Sequence, residues 1–344
     1  MTLPACSVYT PPWTVRDNIS VRGYAYDSNN KLLTGEALTS YFTNIKNREL
    51  FKARLKLLNG SFAVILQMGP EEVWAAVDPV RSIPLFYYFE EDRLRVVDRY
   101  DAVDKNKDLD PFAATEFLGL CYTIGNNTLL PHLGQIEAGQ IIASSGTKII
   151  SEFYYQHLHG YSSKLTKKEH FENLAGISHS VFNRMAEYCR DKTIVVPLSG
   201  GYDSRYIIAY CKYLGIENVV CFTYGKPASF EVKASRNVAR RLGYQWHYVE
   251  YNKEKWRLFL DSAKGWAYMD YVFNFASAPH FQEFVALDEL QAKGVIPENA
   301  VFVPGFSADL LAGSHLPAAF YENRPQDLMD KELAEYIFDH NFRI

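Results

Sequence analysis

The sequence predicts an α/β protein whose C-terminal half is a doubly wound parallel sheet, preceded by a β-rich α+β region. Three observations carry this. Short apolar or alternating runs fill the first half, helical spacing sets in from about Lys167, and strand-like and helix-like segments alternate beyond Thr193. A chain of 344 residues is long enough for two domains, expected at 1–160 and 167–344 with the junction in Ser162–Glu169.

In the first half, Gly60–Met68, Glu72–Asp78, Ile83–Asp98 and Gly139–Tyr155 read as strand runs, divided by Gly-Pro, Asp-Pro, Glu-Asp and Ser-Gly punctuation. Asp110 as cap and Pro111 as first residue open a short helix through Phe112–Leu120. Phe171, Leu174, Ile177, Val181 and Met185 then recur at steps of three and four, a helical stripe. Strands follow at Ile194–Leu198, Val219–Tyr224, Trp246–Tyr251 and Ala300–Gly305, with helices over Arg205–Leu214 and Glu231–Leu242 and further aromatic-rich helices before the last strand.

Composition narrows the function classes. With 48% hydrophobic and 15% aromatic residues the chain can build large cores, which excludes a disordered protein. The net charge is −4 and no Lys/Arg block could track a phosphate backbone, so no nucleic-acid partner is expected. No window approaches the ~18 apolar residues of a membrane span. The first residues lack a basic segment and an apolar core, which reads as cytoplasmic. Cys6, Cys121, Cys189, Cys211 and Cys221 are odd in number and form no CxxC pair, so reduced core thiols are expected.

Chemistry concentrates in "LSGGYDSR", Leu198 to Arg205. The preceding strand ends at the sheet's carboxyl edge, where open α/β folds bind ligands. Gly200 and Gly201 let the backbone turn with its amides exposed. A helix starts at once, so its unpaired N–H groups and positive dipole end face the same point. Together with the Ser199 and Ser204 hydroxyls these donors make a phosphate site, with Asp203 placed to hold Mg²⁺ by one carboxylate. The competing reading is structural: Asp203 or Ser204 caps the helix and the glycines turn the chain. No Gly-Lys-Ser/Thr follows, and the pattern is not G-x-G-x-x-G.

"PLSGGYDSR" resembles the pyrophosphate loop of the asparagine synthetase family of N-type ATP pyrophosphatases. Phe222–Glu250 is similar to that family's second strand, acidic segment, "A..VA..LG" helix and His-bearing strand. Val301–His315 resembles its second acidic motif. "LNGSFAVIL", "DPVRSIPLFYY" and the stretch from "LDPFAATEF" to "GQIIA" look like the end of its class II glutamine amidotransferase-like (Ntn-type) N-terminal domain. The resemblance implies ATP cleavage between the α and β phosphates, adenylation of a small-molecule carboxylate, attack by an amine or ammonia, and release of AMP and pyrophosphate.

Residue by residue, it implies adenine contacts from Leu198 and Tyr224, and a pyrophosphate loop of Ser199, Gly200, Gly201, Asp203 and Ser204. Pro304 and Gly305 would contact the nucleotide, and Asp203 and Asp309 would share Mg²⁺ on ATP. A homodimer is the expected assembly.

Departures from the family pattern touch both halves. Phe306 stands where the family has an acid, Arg205 replaces a small Ser, and no catalytic Lys is assigned after the second acidic motif. Met1-Thr2-Leu3-Pro4 offers no N-terminal Cys nucleophile, Arg81 replaces a Gly and Ile83 an Arg. The N-terminal domain therefore reads as reduced and without glutaminase activity. The alternative for the whole chain is a diverged non-catalytic nucleotide-binding or partner protein. His157 and His159 are read as surface residues, His247 as a satisfied pocket-wall residue, and the series Trp266, Tyr268, Tyr271, Phe273, Phe275 and Phe281 as helix core with a share in substrate selection left open.

Overall fold

The computed structural model describes residues 6–7, 12–100, 108–145, 148–157, 164–306, 308, 331–333, 335–336 and 339, with side chains from residue 12 onward. The chain divides into two compact units, one of Met1–Ser162, Phe273–Ala278 and Asp339–Ile344, the other of Ser163–Val272 and Pro279–Phe338.

The first unit is built on a large antiparallel sheet. Strand Ile19–Tyr26 pairs along its length with Asn59–Gln67, which pairs with Val73–Val77, then Gln140–Ser145 and Lys148–Phe153. Both faces are buried, so alternation along Asn59–Gln67 sends Phe62, Val64 and Leu66 one way and Ala63 and Ile65 the other. The first set packs with Phe42, Phe51 and Leu55 from helices Gly35–Tyr41 and Arg48–Lys56. The second meets Leu85, Leu94 and Val96 of a smaller sheet containing Phe86–Glu90 and Arg93–Val97. The hairpin joining those two strands turns at Glu91 and Asp92, both at positive φ (48° and 60°).

Helix Pro111–Leu120 has Pro111 at its start, and Asp110 Oδ1 accepts from the Ala113 amide at 2.8 Å. Arg81, standing where the family pattern has a glycine, holds the left-handed backbone itself (φ 55°). Phe273–Ala278 belongs to this unit: the amides of Thr123 and Leu129 donate to the carbonyls of Ala276 and Phe275.

The second unit is a four-stranded, all-parallel sheet in the order Gln245–Glu250, Val219–Gly225, Ile194–Pro197, Val301–Phe302. Ile194, Val196, Val219 and Cys221 face helices Tyr202–Tyr213 and Phe230–Leu242 through Ile208, Cys211 and Ala239. Val195, Val220 and Phe222 face helix Phe284–Ala292 through Ala286 and Leu290. Helices thus cover both faces of the sheet. The order reverses beside the Ile194 strand, which sets a ligand-binding crevice at the carboxyl ends of the Ile194 and Val301 strands.

Two expectations, for Cys121 and His247, need correcting, and the exposure of one helical stripe is a finding that its spacing did not address. Helix Lys167–Tyr188 forms, opened by a Thr166–Glu169 capping box, but its stripe is not a buried face. Phe171, Leu174, Ile177 and Val181 are 52–62% exposed, and among the described residues the helix packs through its later turns, where Phe182 stacks on Tyr210 at 4.2 Å. Of the cysteines, Cys189, Cys211 and Cys221 are core thiols, while Cys121 is exposed at the left-handed end of its helix; the Cys6 side chain lies outside the described residues. Burial pushes the Cys211 thiol up to about 11 and that of Cys221 to about 12, as expected of inert thiols. His247 Nε2 is buried with no hydrogen-bond partner among the described residues, so it is not the satisfied wall residue expected. No helix among the described residues is long and apolar enough to cross a membrane.

Candidate nucleotide site

The loop after Pro197 is tied down from beneath. The Thr223 hydroxyl donates to the Leu198 carbonyl at 2.7 Å and lies 2.7 Å from Ser235 Oγ, and Trp246 Nε1 donates to Thr223 at 3.1 Å. Thr223 and Ser235 are buried, so losing the bonds of either hydroxyl would strand a buried polar atom. This fixes where the strand ends and the turn begins.

Above that anchor the loop satisfies its own amides. Ser199 N donates to Ser204 Oγ at 3.1 Å, Gly201 N to Ser199 Oγ at 3.1 Å, and Gly200 N to a Glu231 carboxylate oxygen. Helix Tyr202–Tyr213 has Gly201 at its N-cap and no side-chain capping bond, which rules against Asp203 or Ser204 as a simple cap. The positive end of the helix dipole therefore faces the place where an anion would sit. Gly305 is spatially required, since a Cβ there would stand 2.9 Å from Ser204 N, while one on Gly200 would stand 2.7 Å from the exposed Phe230 ring.

A cleft of about 740 Å³ opens here, lined among others by Leu198, Ser199, Gly201, Asp203, Ser204, Tyr224 and Gly305. Residues spread over more than a hundred positions of sequence thus meet at one sheet edge. Gly200 borders the cleft through its bond to Glu231, while Pro304 lines a neighbouring apolar cleft with Val181 and Tyr206. Asp309 lies outside the described residues, as does His159; among the described residues no cluster of three acidic, His or Cys side chains is placed to hold a metal.

Two acids in the site were not anticipated from sequence. Glu231 sits in the first turn of helix Phe230–Leu242, placed by the Ser229 cap. Glu283 is 6% exposed, accepts from the Tyr224 hydroxyl at 2.8 Å and lies 3.1 Å from His280 Nδ1. Burial, followed by that bond to Glu283, raises the Tyr224 pKa well above the usual phenol range, and its ring stacks on Tyr251 at 4.7 Å. Nothing marks Glu283 in its aromatic-rich stretch; for Glu231 the serine-capped helix start two residues earlier was a usable signal.

Phe306 is 55% exposed, lines both clefts and meets His280 edge-on at 5.3 Å. Arg205 donates to the Gly201 carbonyl at 2.8 Å and lies over Tyr202 at 4.5 Å, on the helix surface and outside the 740 Å³ cleft. Part of the aromatic series is packing: Tyr268 stacks on Phe284 at 3.8 Å, Phe281 meets Trp256 at 5.7 Å and Phe275 meets Tyr100 at 4.9 Å. Trp266 and Tyr271 are exposed.

Comparison with known proteins adds the following. No family model matches the chain. A probable glutamine-hydrolysing asparagine synthetase of Acanthamoeba polyphaga mimivirus is 33% identical over 105 residues, 28% of this chain and 19% of that protein. The chain spans about a fifth of the length of the curated relative it matches. Among solved structures, an NH3-dependent NAD synthetase from Campylobacter jejuni subsp. jejuni NCTC 11168, in complex with nitrate, is similar at 17% identity over 40% of this chain and 59% of that one, with a TM-score of 0.29.

Proposed function

We propose that the chain is an ATP-dependent, amide-forming ligase of the asparagine synthetase type. One observation supports this above the others: the Ser199–Ser204 loop, an uncapped helix N-terminus and Gly305 converge on one cleft at the sheet's topological switch. In this reading Leu198 and Tyr224 take the adenine, with Tyr224 oriented by Glu283. The two hydroxyls and the positive end of the helix dipole take the phosphates, joined by the Gly200 and Gly201 amides once these leave Glu231 and Ser199. Asp203 and Asp309 would hold Mg²⁺, which neutralises the pyrophosphate leaving group. The loop's own work is to hold the α-phosphorus in line with the attacking carboxylate oxygen, so that adenylation is largely positioning and charge stabilisation. Ammonia or an amine then displaces AMP from the adenylate and forms the amide.

The first unit serves, in the same reading, as a reduced amidotransferase-like scaffold without a glutaminase nucleophile. Phe306 supports a second reading: an aromatic side chain lines the cleft where the family carries an acid, as in a nucleotide-binding protein that no longer turns over. ATP–pyrophosphate exchange across a panel of carboxylates separates the two. Exchange with at least one acid is expected; measurable ATP binding with no exchange for any acid would leave only the second.

A further inference from the structure

The carboxyl edge of the parallel sheet carries another cleft, of about 550 Å³, that the proposed reaction leaves unused. Gly225, Lys226, Tyr251 and Asn252 form one side; Lys253, Trp256, Arg257 and Leu260 of helix Lys253–Leu260 form the other. Its size falls in the range of roughly 300–1,000 Å³ typical of small-molecule sites.

The floor is aromatic and held in place. Trp256 meets Tyr251 edge-on at 5.2 Å and Phe281 at 5.7 Å. Tyr251 in turn donates its hydroxyl to the Gln282 carbonyl at 2.5 Å and accepts from Ala286 N at 3.0 Å. Gly225 has φ +126°, a backbone open to glycine and costly for any other residue, and its carbonyl accepts from Tyr251 N at 3.0 Å and the Tyr248 hydroxyl at 2.6 Å. The wall is therefore built by specific bonds around a glycine that makes the bend.

The rim is cationic and uncompensated. Among the described residues Lys226, Lys253 and Arg257 have no carboxylate within ion-pairing distance, whereas Lys255, on the same helix, pairs with Glu289 at 2.5 Å. Lys253 and Arg257 stand four residues apart, the spacing at which like charges oppose helix formation. Asp261 is the one acid among the described lining residues, so the cleft is locally positive on a chain of net charge −4. An anion between these three side chains would relieve that repulsion.

We propose that this cleft binds a small molecule that carries both an aromatic ring and an anionic group. The ring stacks on Trp256, and the phosphate or carboxylate lies among Lys226, Lys253 and Arg257. Tyr224 stacks on Tyr251, so this ligand is one aromatic layer away from the pyrophosphate-loop cleft and does not occupy it. The inference is independent of the ligase reading.

Tryptophan fluorescence and calorimetry on the full chain test it, with phenyl phosphate, benzoate and inorganic phosphate as probes. A ring-bearing anion should bind and quench, with the quench abolished in W256F and affinity at least tenfold lower in the K253Q/R257Q double variant. D203A should leave this affinity unchanged, which separates the site from the nucleotide cleft. Tighter binding of phenyl phosphate assigns a phosphorylated ligand, tighter benzoate a carboxylate. Equal affinity for inorganic phosphate, undiminished binding by K253Q/R257Q, or no binding of either ring-bearing anion at millimolar concentration would overturn the proposal.

Discussion

Asp78 in the first unit and Asp203 in the second each follow an apolar strand and sit beside a serine in a turn, but their surroundings differ completely. Asp78 is fully buried and accepts from Phe62 N at 3.2 Å, Val80 N at 3.0 Å, and Ser82 N and Oγ at 2.9 and 3.2 Å. Its bonding capacity is consumed by its own turn. Asp203 is half-buried in the first turn of a helix with no side-chain cap, and it lines a 740 Å³ cleft. An acid that closes a backbone account serves the fold, while an acid beside uncapped amides and open volume can serve chemistry.

The largest effect should come from breaking the structural member of the pair. Asp78→Ala leaves the buried Phe62 amide and the part-buried Val80 and Ser82 amides without an acceptor, at about 1–3 kcal/mol for a buried group and less for the other two, so a loss of about 2–3 kcal/mol is expected in urea denaturation. A loss below about 1 kcal/mol would contradict the structural role. Burial pushes the Asp78 carboxyl up, against the hydrogen bonds that lower it. A raised folded pKa means the folded unit binds that proton more tightly than the unfolded chain. Its contribution is then greatest at low pH and is lost as pH rises through the folded value, so the cost of Asp78→Ala should grow as pH falls from about 7 towards about 4.

Asp203→Ala should show the reverse pattern. Stability changes by less than about 1 kcal/mol, as usual away from buried networks, while affinity for ATP–Mg²⁺ by calorimetry falls about tenfold or more, near 1.4 kcal/mol. Wild-type affinity in this variant would remove the contrast with Asp78.

The smallest effect tests the neighbour that competes for the loop. Glu231 occupies the Gly200 amide that a phosphate would need. Glu231→Gln weakens a charge-assisted bond by roughly half and removes like-charge repulsion, so pyrophosphate should bind a few-fold more tightly. Weaker binding would instead show Glu231 assisting the anion.

Much of the second unit was legible because its signals are local. The Ile194, Val219 and Gln245 strands are short apolar or aromatic runs and the loop glycines announce a tight turn, as in the first unit Asp110 announces its helix. Strand Ile19–Tyr26 was missed, since Arg22 and Gly23 interrupt its pattern; the reason lies elsewhere in the chain. Arg22 approaches Asp98 at 4.0 Å, and a Cβ on Gly23 would stand 2.0 Å from the Ser61 carbonyl oxygen. The stripe on helix Lys167–Tyr188 was legible as helix but not as exposed, because periodicity reports which residues share a face and not whether anything covers it.

By itself the sequence determined the alternation of strands and helices, the phosphate-loop pattern and the net charge of −4, properties of composition and of neighbouring residues. Tertiary structure alone decided that Glu231 and Glu283 enter the cleft, that Gly305 packs on Ser204, and that Phe273–Ala278 joins the first unit. Each of these depends on the distance between residues far apart in the chain, which is set by how the sheet orders its strands and not by any local preference.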